Sequence, residues 1–414
     1  MKKKVIIIGG GPAGLLAAAT SAKAGAEVLL LEKKPRIGLK LRITGKGRCN
    51  ITNTLDIPEF IKQIHPNGRF LRQSFSQFFR EDILEILNNY GVTTENERGG
   101  RIFPTSNNAE DVVNALKRYA TDNNVSIRSN SKVSSLIVEE NKIAGIILEN
   151  GKDIRSNSVI IATGGNSYKT TGSSGDGYEL AKSVGHNISP IFPALIPLIT
   201  DGGIAKDLQG LSLKNISISF WIGGKKSIEQ FGEMIFTHFG VSGPVILKTS
   251  RGVVVALREN KSVVLKIDLK PALDHQKLDR RLIREFEENS KVQFKNILKN
   301  LLPNKMIDVF LKILKINVLK PCCEISSKER KSLRMLLKEF PLIVLSHRPM
   351  NEAIVTAGGI VTNEIYPKTM ESKLVSGLYF AGEVIDIDAD TGGYNLQAAF
   401  SAGYVAGENA ALNN

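Results

Sequence analysis

Val5-Ile6-Ile7-Ile8-Gly9-Gly10-Gly11-Pro12-Ala13-Gly14, followed by Leu29-Leu30-Leu31-Glu32-Lys33, decides the fold. A short β-branched run enters G-x-G-x-x-G, a helical stretch follows, and a second apolar run ends in an acid. A bare G-x-G-x-x-G is weak. Strand, glycines, helix and acid in this order form the dinucleotide-binding fingerprint of a doubly wound α/β fold. Gly9 permits the tight turn, Gly11 leaves room for a pyrophosphate beside Pro12 and Ala13, and Gly14 lets helix and strand pack closely. The helix N-terminus offers free N–H groups and a positive dipole end to the phosphates. Glu32, with Lys33 beside it, is expected to accept hydrogen bonds from ribose hydroxyls. A Gly-rich turn in some other α/β fold is the competing reading.

Two later junctions also run from a strand into glycine: Ala162-Thr163-Gly164 and Ala381-Gly382-Glu383. A nicotinamide enzyme needs only the first junction. FAD lies extended across a sheet, and its ribityl chain must be held far from the first loop. Glu383 suits a ribityl hydroxyl. Gly393-Tyr394-Asn395-Leu396-Gln397-Ala398 opens an Ala-rich helix whose N-terminus would face the flavin pyrimidine edge and offset charge gained on reduction. The ordered set favours FAD.

The 414 residues are too many for one core, and 42% hydrophobic with 23% charged content is ordinary for a soluble globular protein. No run of about eighteen apolar residues suggests a membrane span. Lys2-Lys3-Lys4 before an apolar run mimics a signal peptide, but Gly10-Gly11-Pro12 breaks it, so a first strand and a cytoplasmic protein are expected. The net charge of +14, from 55 basic and 41 acidic residues, permits an anionic partner. The basic residues read as dispersed, which favours a solvated surface and no nucleic-acid partner. Three cysteines exclude a disulfide scaffold and, with no C-x-x-C, disfavour a dithiol flavin reductase. Cys322-Cys323 reads as two reduced thiols, with a strained vicinal bridge as the alternative.

Residues 1–50 read as strand, helix, strand and Gly-rich loop. The spacing of Phe70, Leu71, Phe75, Phe78 and Phe79 predicts helix from His65 to Tyr90, and Asn108 to Asn123 is a second helix. Strands are expected at 125–128, 133–138 and 143–148, the last two joined by a hairpin around Glu140-Asn141-Lys142. After Pro190, Pro193 and Pro197 the chain turns to short strands with Gly-rich turns, then to Lys/Leu-rich helical periodicity. The expected architecture is α/β: a Rossmann-like FAD-binding domain interrupted by an insertion. Residues 1–193 form its first part, 194–272 a β-barrel-like insertion, 273–344 a helical subdomain, and 345–414 its last part.

The motifs Thr44-Gly45-Lys46-Gly47-Arg48-Cys49-Asn50-Ile51-Thr52-Asn53, Phe236-Thr237-His238-Phe239-Gly240-Val241-Ser242-Gly243-Pro244 and Asp390-Thr391-Gly392-Gly393-Tyr394-Asn395-Leu396-Gln397-Ala398 make the resemblance specific. The chain resembles the two-dinucleotide-binding flavoproteins. More narrowly, it resembles a family of bacterial FAD-dependent oxidoreductases that includes aminoacetone oxidase and a bile-acid enone reductase. The resemblance spans nearly the whole chain. It implies FAD contacts from Gly11 to Gly14, and at Glu32, Gly47, Arg48, Cys49, Asn50, Ala162, Thr163, Gly164, Gly382, Glu383 and Tyr394 to Ala398, with the adenine near Val133. Glu383 stands where many wider relatives carry Asp. Thr171-Gly172-Ser173-Ser174-Gly175-Asp176-Gly177 resembles the T-G-D-G helix start of fumarate-reductase-like flavoproteins. No second complete G-x-G-x-x-G exists, so NAD(P)H is expected to bind only transiently.

Several residues keep two readings. Cys49 reads as a buried thiol in the cofactor loop, with a redox or covalent-flavin role as the alternative. Arg48 either holds an anionic group or pairs structurally. His238 is a candidate catalytic proton donor or acceptor, or orders its own turn. Asp386-x-Asp388-x-Asp390 mimics an EF-hand start but lacks the sixth-position Gly and the twelfth-position Glu, so no metal is expected and the stretch reads as a polar loop. The expected function is an FAD-dependent oxidoreductase. It moves hydride between flavin N5 and a small organic substrate bound between flavin and insertion, with NAD(P)H or oxygen as the second redox partner. A tRNA-modifying or other RNA-directed flavoprotein, and a flavin sensor without turnover, are the alternatives. Substrate identity and oligomeric state are not fixed by the sequence.

Overall fold

A computed structural model describes residues 2–412. The chain forms two compact units, Met1–Pro193 with Met350–Asn414, and Ala194–Pro349.

The first unit is built on a five-stranded parallel sheet. Lys4–Ile8 is central, flanked on one side by Glu27–Leu31 and then Ser126–Arg128, and on the other by Ser158–Ile161 and then Leu378–Phe380. Parallel neighbours need crossovers, and the helix Pro12–Lys23 supplies the first. Val5 to Ile8 are all buried because both sheet faces are covered. The hairpin between Val133–Glu139 and Lys142–Leu148 turns at Glu140 and Asn141, both at positive φ (49° and 59°), as a tight two-residue turn requires.

The expected helix from His65 to Tyr90 is broken. Ile64–Pro66 is a strand, a 3-10 turn follows at Gly68–Leu71, and α-helix forms only at Arg72–Gln77 and Arg80–Asn89. Phe78 is extended (φ −150°, ψ 115°), and the Asp82 carboxylate accepts from Phe79 N–H at 2.6 Å to start the second helix. The helical-looking aromatic spacing serves tertiary contacts instead: Phe60 meets Phe75, Phe79 and Tyr394 edge-on at 4.8–5.2 Å. The Asp-x-Asp-x-Asp stretch is also not a loop. Ile387–Ala389 is a strand paired with Ile64–Pro66, and Asp386 accepts from Ser189 Oγ at 2.7 Å.

The second unit contains a closed six-stranded antiparallel barrel. Leu198–Thr200 closes it by pairing with both Gly240–Ser242 and Phe340–His347. Its interior is apolar, with Ile218, Phe220, Leu265 and Leu342 buried. Two features differ from expectation. The last barrel strand, Phe340–His347, lies beyond the helices, so the helical segment ends at Lys338 rather than 344. The stretch that reads as short strands with Gly-rich turns also holds a 15-residue helix, Pro244–Arg258. Gly243 (φ 100°) makes the turn and Pro244 starts the helix, where a missing N–H costs nothing. Helices His275–Glu288, Phe294–Leu301, Asn304–Leu314 and Ser327–Lys338 follow, the last opened by a Ser326/Glu329 capping box.

Charge divides unevenly between the units. Ala194–Pro349 carries 27 basic and 15 acidic residues, so it holds +12 of the chain's +14. The basic residues are therefore concentrated rather than dispersed. Among the described residues no helix is long and apolar enough to cross a membrane.

Candidate cofactor-binding site

The three fingerprint glycines do different work. Gly9 (φ 111°) lies so close to the sheet that a Cβ would come within 2.5 Å of Ala162 O. A Cβ on Gly14 would come within 1.9 Å of Gly9 O. A Cβ on Gly11 would meet nothing within 4 Å, so open space lies in front of the helix start. Gly11 is the N-cap and Pro12 the first helical residue, and no side chain caps the helix. The N–H groups of Ala13 and Gly14 have no acceptor within the helix and face an anion-ready opening.

Glu32 is held by the same loop. Its Oε2 accepts from Gly10 N–H and its Oε1 from Lys34 N–H, each at 2.8 Å. Beyond it a cleft of about 840 Å³ is lined by Lys33, Lys34, Ser131, Lys132, Lys169 and Asp176, among others. Buried Val133 follows directly on Lys132. Lys33 Nζ is 2.6 Å from Asp176 Oδ2 and also donates to Ser174. Burial opposes ionisation of Asp176, but hydrogen bonds from Lys33 and Ser174 hold its carboxyl below the usual range. Asp176 opens the T-G-D-G helix Asp176–Ser183, and a Cβ on Gly177 would strike Thr163 Oγ1 at 2.1 Å.

Thr163 sits between Ala162 and Gly164 at the end of its strand, and its hydroxyl is buried with no hydrogen-bond partner. Gly164 (φ 73°) faces Ser173. The next strand end, at Gly382 (φ 79°), packs on Ala13: a Cβ there would lie 2.9 Å from Ala13 Cβ. Glu383 does not stand free toward a ribityl chain. Its carboxylate accepts from Lys40 Nζ at 2.7 and 3.0 Å and from Thr356 N–H at 2.8 Å, while Lys40 also donates to Ser167 Oγ at 2.8 Å.

The loop of Gly47, Arg48, Cys49 and Asn50 is strained. Lys46 and Cys49 both have positive φ (61° and 63°), which costs a non-glycine residue about 1–3 kcal/mol and marks functional loops. Arg48 is committed structurally: it pairs with Glu97, donates to Asn107 Oδ1 at 2.6 Å and stacks on Phe103 at 4.2 Å. Cys49 is fully buried, and burial pushes its thiol up to about 12. Burial disfavours its thiolate, which weighs against the redox reading. Cys322 and Cys323 are free thiols.

Gly393 (φ 95°) approaches Thr52 O, where a Cβ would lie 2.4 Å away, and the C-terminal helix Tyr394–Leu412 starts immediately after it. Side chains of its first turn serve the scaffold. Asn395 bonds Ala389 N–H and O at 2.9 and 2.8 Å, and Gln397 Oε1 accepts from Thr52 at 2.7 Å. The backbone N–H groups of Tyr394, Asn395 and Leu396 remain for a ligand. Leu396 and Ala398 add no polar group.

Two glycines align this helix with the fingerprint helix. Cβ atoms on Gly403 and Gly407 would each lie 2.4 Å from the carbonyl oxygens of Ala13 and Ala17. Gly403 is level with Ala13 and Gly407 with Ala17, so the helices run parallel and open the same way. The C-terminal helix starts about 12 Å beyond the fingerprint helix at 1.5 Å per residue. Two offset N-termini and an open cradle at Gly11 fit an extended FAD. They exceed what a single nucleotide needs.

His238 lies in the second unit, exposed in turn 237–239 with its ring edge-on to Phe239 at 5.0 Å. The turn is closed by Thr237, whose Oγ1 accepts from Gly240 N–H at 3.1 Å. Sequence reasoning missed Lys40, Ser167 and Thr356. Lys40 and Glu383 are 343 positions apart, and nothing local to either announces the pair.

Comparison with known proteins agrees with this geometry. The HI0933-like protein Rossmann domain model matches residues 3–409. A 3-dehydro-bile acid delta(4,6)-reductase of Clostridium scindens is 32% identical over 394 residues, covering 93% of both chains. A ribosomal RNA dihydrouridine synthase of Haemophilus influenzae is 31% identical over 391 residues, covering 92% of both. The fold also resembles a 3-ketosteroid-delta4-(5alpha)-dehydrogenase of Rhodococcus jostii, with a TM-score of 0.53 at 15% identity over 99% of this chain and 97% of that one. The chain belongs to the HI0933-like family and is an FAD-binding oxidoreductase built on a Rossmann domain.

Proposed function

We propose that the chain is an FAD-dependent reductase that saturates a carbon–carbon double bond conjugated to a carbonyl. The single observation that carries the cofactor half is the offset pair of parallel helix N-termini, opened at Gly11 and Gly393. The reaction half comes from the relatives. A delta(4,6)-reductase of a 3-dehydro-bile acid and a dihydrouridine synthase act, by their names, on very different molecules. Both would reduce a ring double bond polarised by a neighbouring carbonyl.

Bound FAD supplies a hydride donor and acceptor at N5. The chain's residues do the rest. The N–H groups of Ala13 and Gly14 hold the pyrophosphate, and Glu32 anchors the adenosine end. Lys40, paired with Glu383, fixes the late strand end beside Gly382. The first-turn N–H groups of Tyr394, Asn395 and Leu396 offset negative charge. His238 gives the substrate its proton. NAD(P)H is the electron source and binds transiently, since no second G-x-G-x-x-G exists. With oxygen as electron acceptor the same site would act as an oxidase.

The substrate on the first reading is a small enone. A second reading, in which the double bond belongs to a uracil of RNA, is favoured by the +12 net charge of Ala194–Pro349. It revises the expectation of no nucleic-acid partner. Anaerobically reduced protein is offered either a cyclic enone or unmodified ribosomal RNA, and the return of flavin absorbance is followed. Reoxidation by one of them supports the reductase and selects its substrate. Reoxidation by neither, with rapid reoxidation by air, overturns it in favour of an oxidase.

A further inference from the structure

We propose that the outer face of helices His275–Glu288 and Ser327–Lys338 is a docking surface for the phosphate backbone of RNA. The proposal rests on the RNA reading above and adds where the RNA is held.

Charge is concentrated further within the second unit. Residues 275–338 carry 16 basic and 7 acidic side chains, a net of +9. Helical periodicity sorts them. In the first helix Leu278, Leu282 and Phe286 recur every four residues and are buried. In the second, Leu333, Leu336 and Leu337 are buried. Positions half a turn away from these carry Lys277, Arg280 and Arg284 on the first helix and Lys328 and Lys331 on the second, all exposed.

The two helices pack through a shared apolar core and are bridged by charge at Asp279. Asp279 Oδ1 lies 3.3 Å from both Arg330 Nε and Arg334 Nη1. One carboxylate between two guanidinium groups leaves the seam positive. Some cations elsewhere in this subdomain are matched inside the protein, as in Lys295–Asp308, Lys312–Asp207 and Lys320–Glu329. Among the described residues Arg280, Arg284, Lys328 and Lys331 make no ion pair within 4.0 Å, although the Asp274 carboxylate lies near enough to Arg280 to feel its charge. Glu287 and Glu288 close the basic stripe at the end of the first helix.

The composition of the face identifies the partner. A membrane-surface helix needs an apolar side to bury in lipid. Here the leucines are spent on the core, and Met335 is the one large apolar side chain exposed on either helix. A face of guanidinium and ammonium groups with little apolar surface suits phosphates, read without regard to base sequence.

The test is fluorescence anisotropy of a labelled RNA hairpin of mixed sequence, titrated with FAD-loaded protein from 50 to 300 mM KCl. The variants are R280Q/R284Q, K328Q/K331Q and the four changes combined, with K117Q/K142Q/K152Q/K182Q in the first unit as control. The quadruple variant on the proposed face should lower the salt slope by about three, near 0.7–0.9 per lost phosphate contact. At 100 mM KCl its binding should weaken at least tenfold, each pair should give about half the effect in slope, and the control should match wild type. Flavin content and flavin reduction by NAD(P)H should be unchanged, which reports a folded chain. No RNA binding by wild type would overturn the RNA reading itself. RNA binding with the same slope in all variants would overturn only this surface. Loss of binding to phosphatidylglycerol vesicles, with RNA binding intact, would assign the face to lipid and overturn the proposal.

Discussion

Gly403 lies directly on the carbonyl of Ala13, where a Cβ would come within 2.4 Å of the oxygen. This contact seats the C-terminal helix beside the fingerprint helix and sets the offset between their N-termini. Gly403→Leu should separate the helices, at an overpacking cost of about 1–3 kcal/mol or more. Gly11→Leu should behave differently, because a Cβ there meets nothing within 4 Å. The Gly11→Leu chain should fold with a near wild-type melting temperature as apoprotein and fail to retain FAD. Normal flavin retention by that variant would remove the pyrophosphate from this cradle.

Lys40 and Glu383 should behave as a coupled pair. Both side chains are about one-fifth exposed and their closest atoms are 2.7 Å apart. Glu383→Gln leaves Lys40 without its charge partner, and Lys40→Met leaves Glu383 with Thr356 alone. Each should cost on the order of 2 kcal/mol in urea denaturation. The double variant should cost less than the sum. Additive losses would show that the two do not interact.

The three thiols should react in order of exposure and ionisation. Cys323 is exposed, whereas Cys49 is buried with its thiol pushed up to about 12. A disulfide reagent at pH 8 should therefore titrate Cys323 first and reach Cys49 only on unfolding. Rapid modification of Cys49 in native protein, mapped by mass spectrometry, would contradict its burial.

His186 should make stability fall on mild acidification. Its Nδ1 lies 3.0 Å from Glu364 Oε2 and its Nε2 2.8 Å from Ser372 Oγ. Ser372 Oγ already accepts from Leu374 and Val375 N–H, so its hydroxyl donates to Nε2 and the ring is neutral. Burial lowers the His186 pKa, against the hydrogen bond and charge of Glu364. The unfolded chain then takes up a proton first. Stability is full above about pH 6.5 and is lost as pH falls from there toward the folded-state pKa. His186→Gln should flatten the melting temperature between pH 6.5 and 5.5. An unchanged pH profile would place the titration elsewhere.

His238→Ala should slow substrate-dependent reoxidation of reduced flavin about a hundredfold, the lower end for losing a general acid, while FAD stays bound. Unchanged single-turnover reoxidation would leave His238 with only its turn to order.

The cofactor side of the fold was legible because it rests on local chemistry. Gly9, Gly11 and Gly14 answer to backbone geometry within a few residues, and the hairpin at Glu140-Asn141 is likewise local. The parts that were not legible depend on distant partners. Glu383 reads as a ribityl ligand until Lys40 and Thr356 are seen against it. Phe75 and Phe79 look like one helical stripe, but Phe60 and Tyr394 hold them across a break at Phe78. Strand Phe340–His347 returns to the barrel after some seventy residues of helix and loop, a pairing no local pattern encodes. Charge misled for the same reason. Along the chain it looked dispersed, and only division into units shows that Ala194–Pro349 holds nearly all of the excess.

The central claim is tested most directly by the visible spectrum of purified protein under anaerobic addition of NADH or NADPH. The account predicts a yellow protein with one bound FAD per chain, whose flavin absorbance bleaches with one of the two nicotinamides. A colourless protein that takes up no added FAD would contradict it.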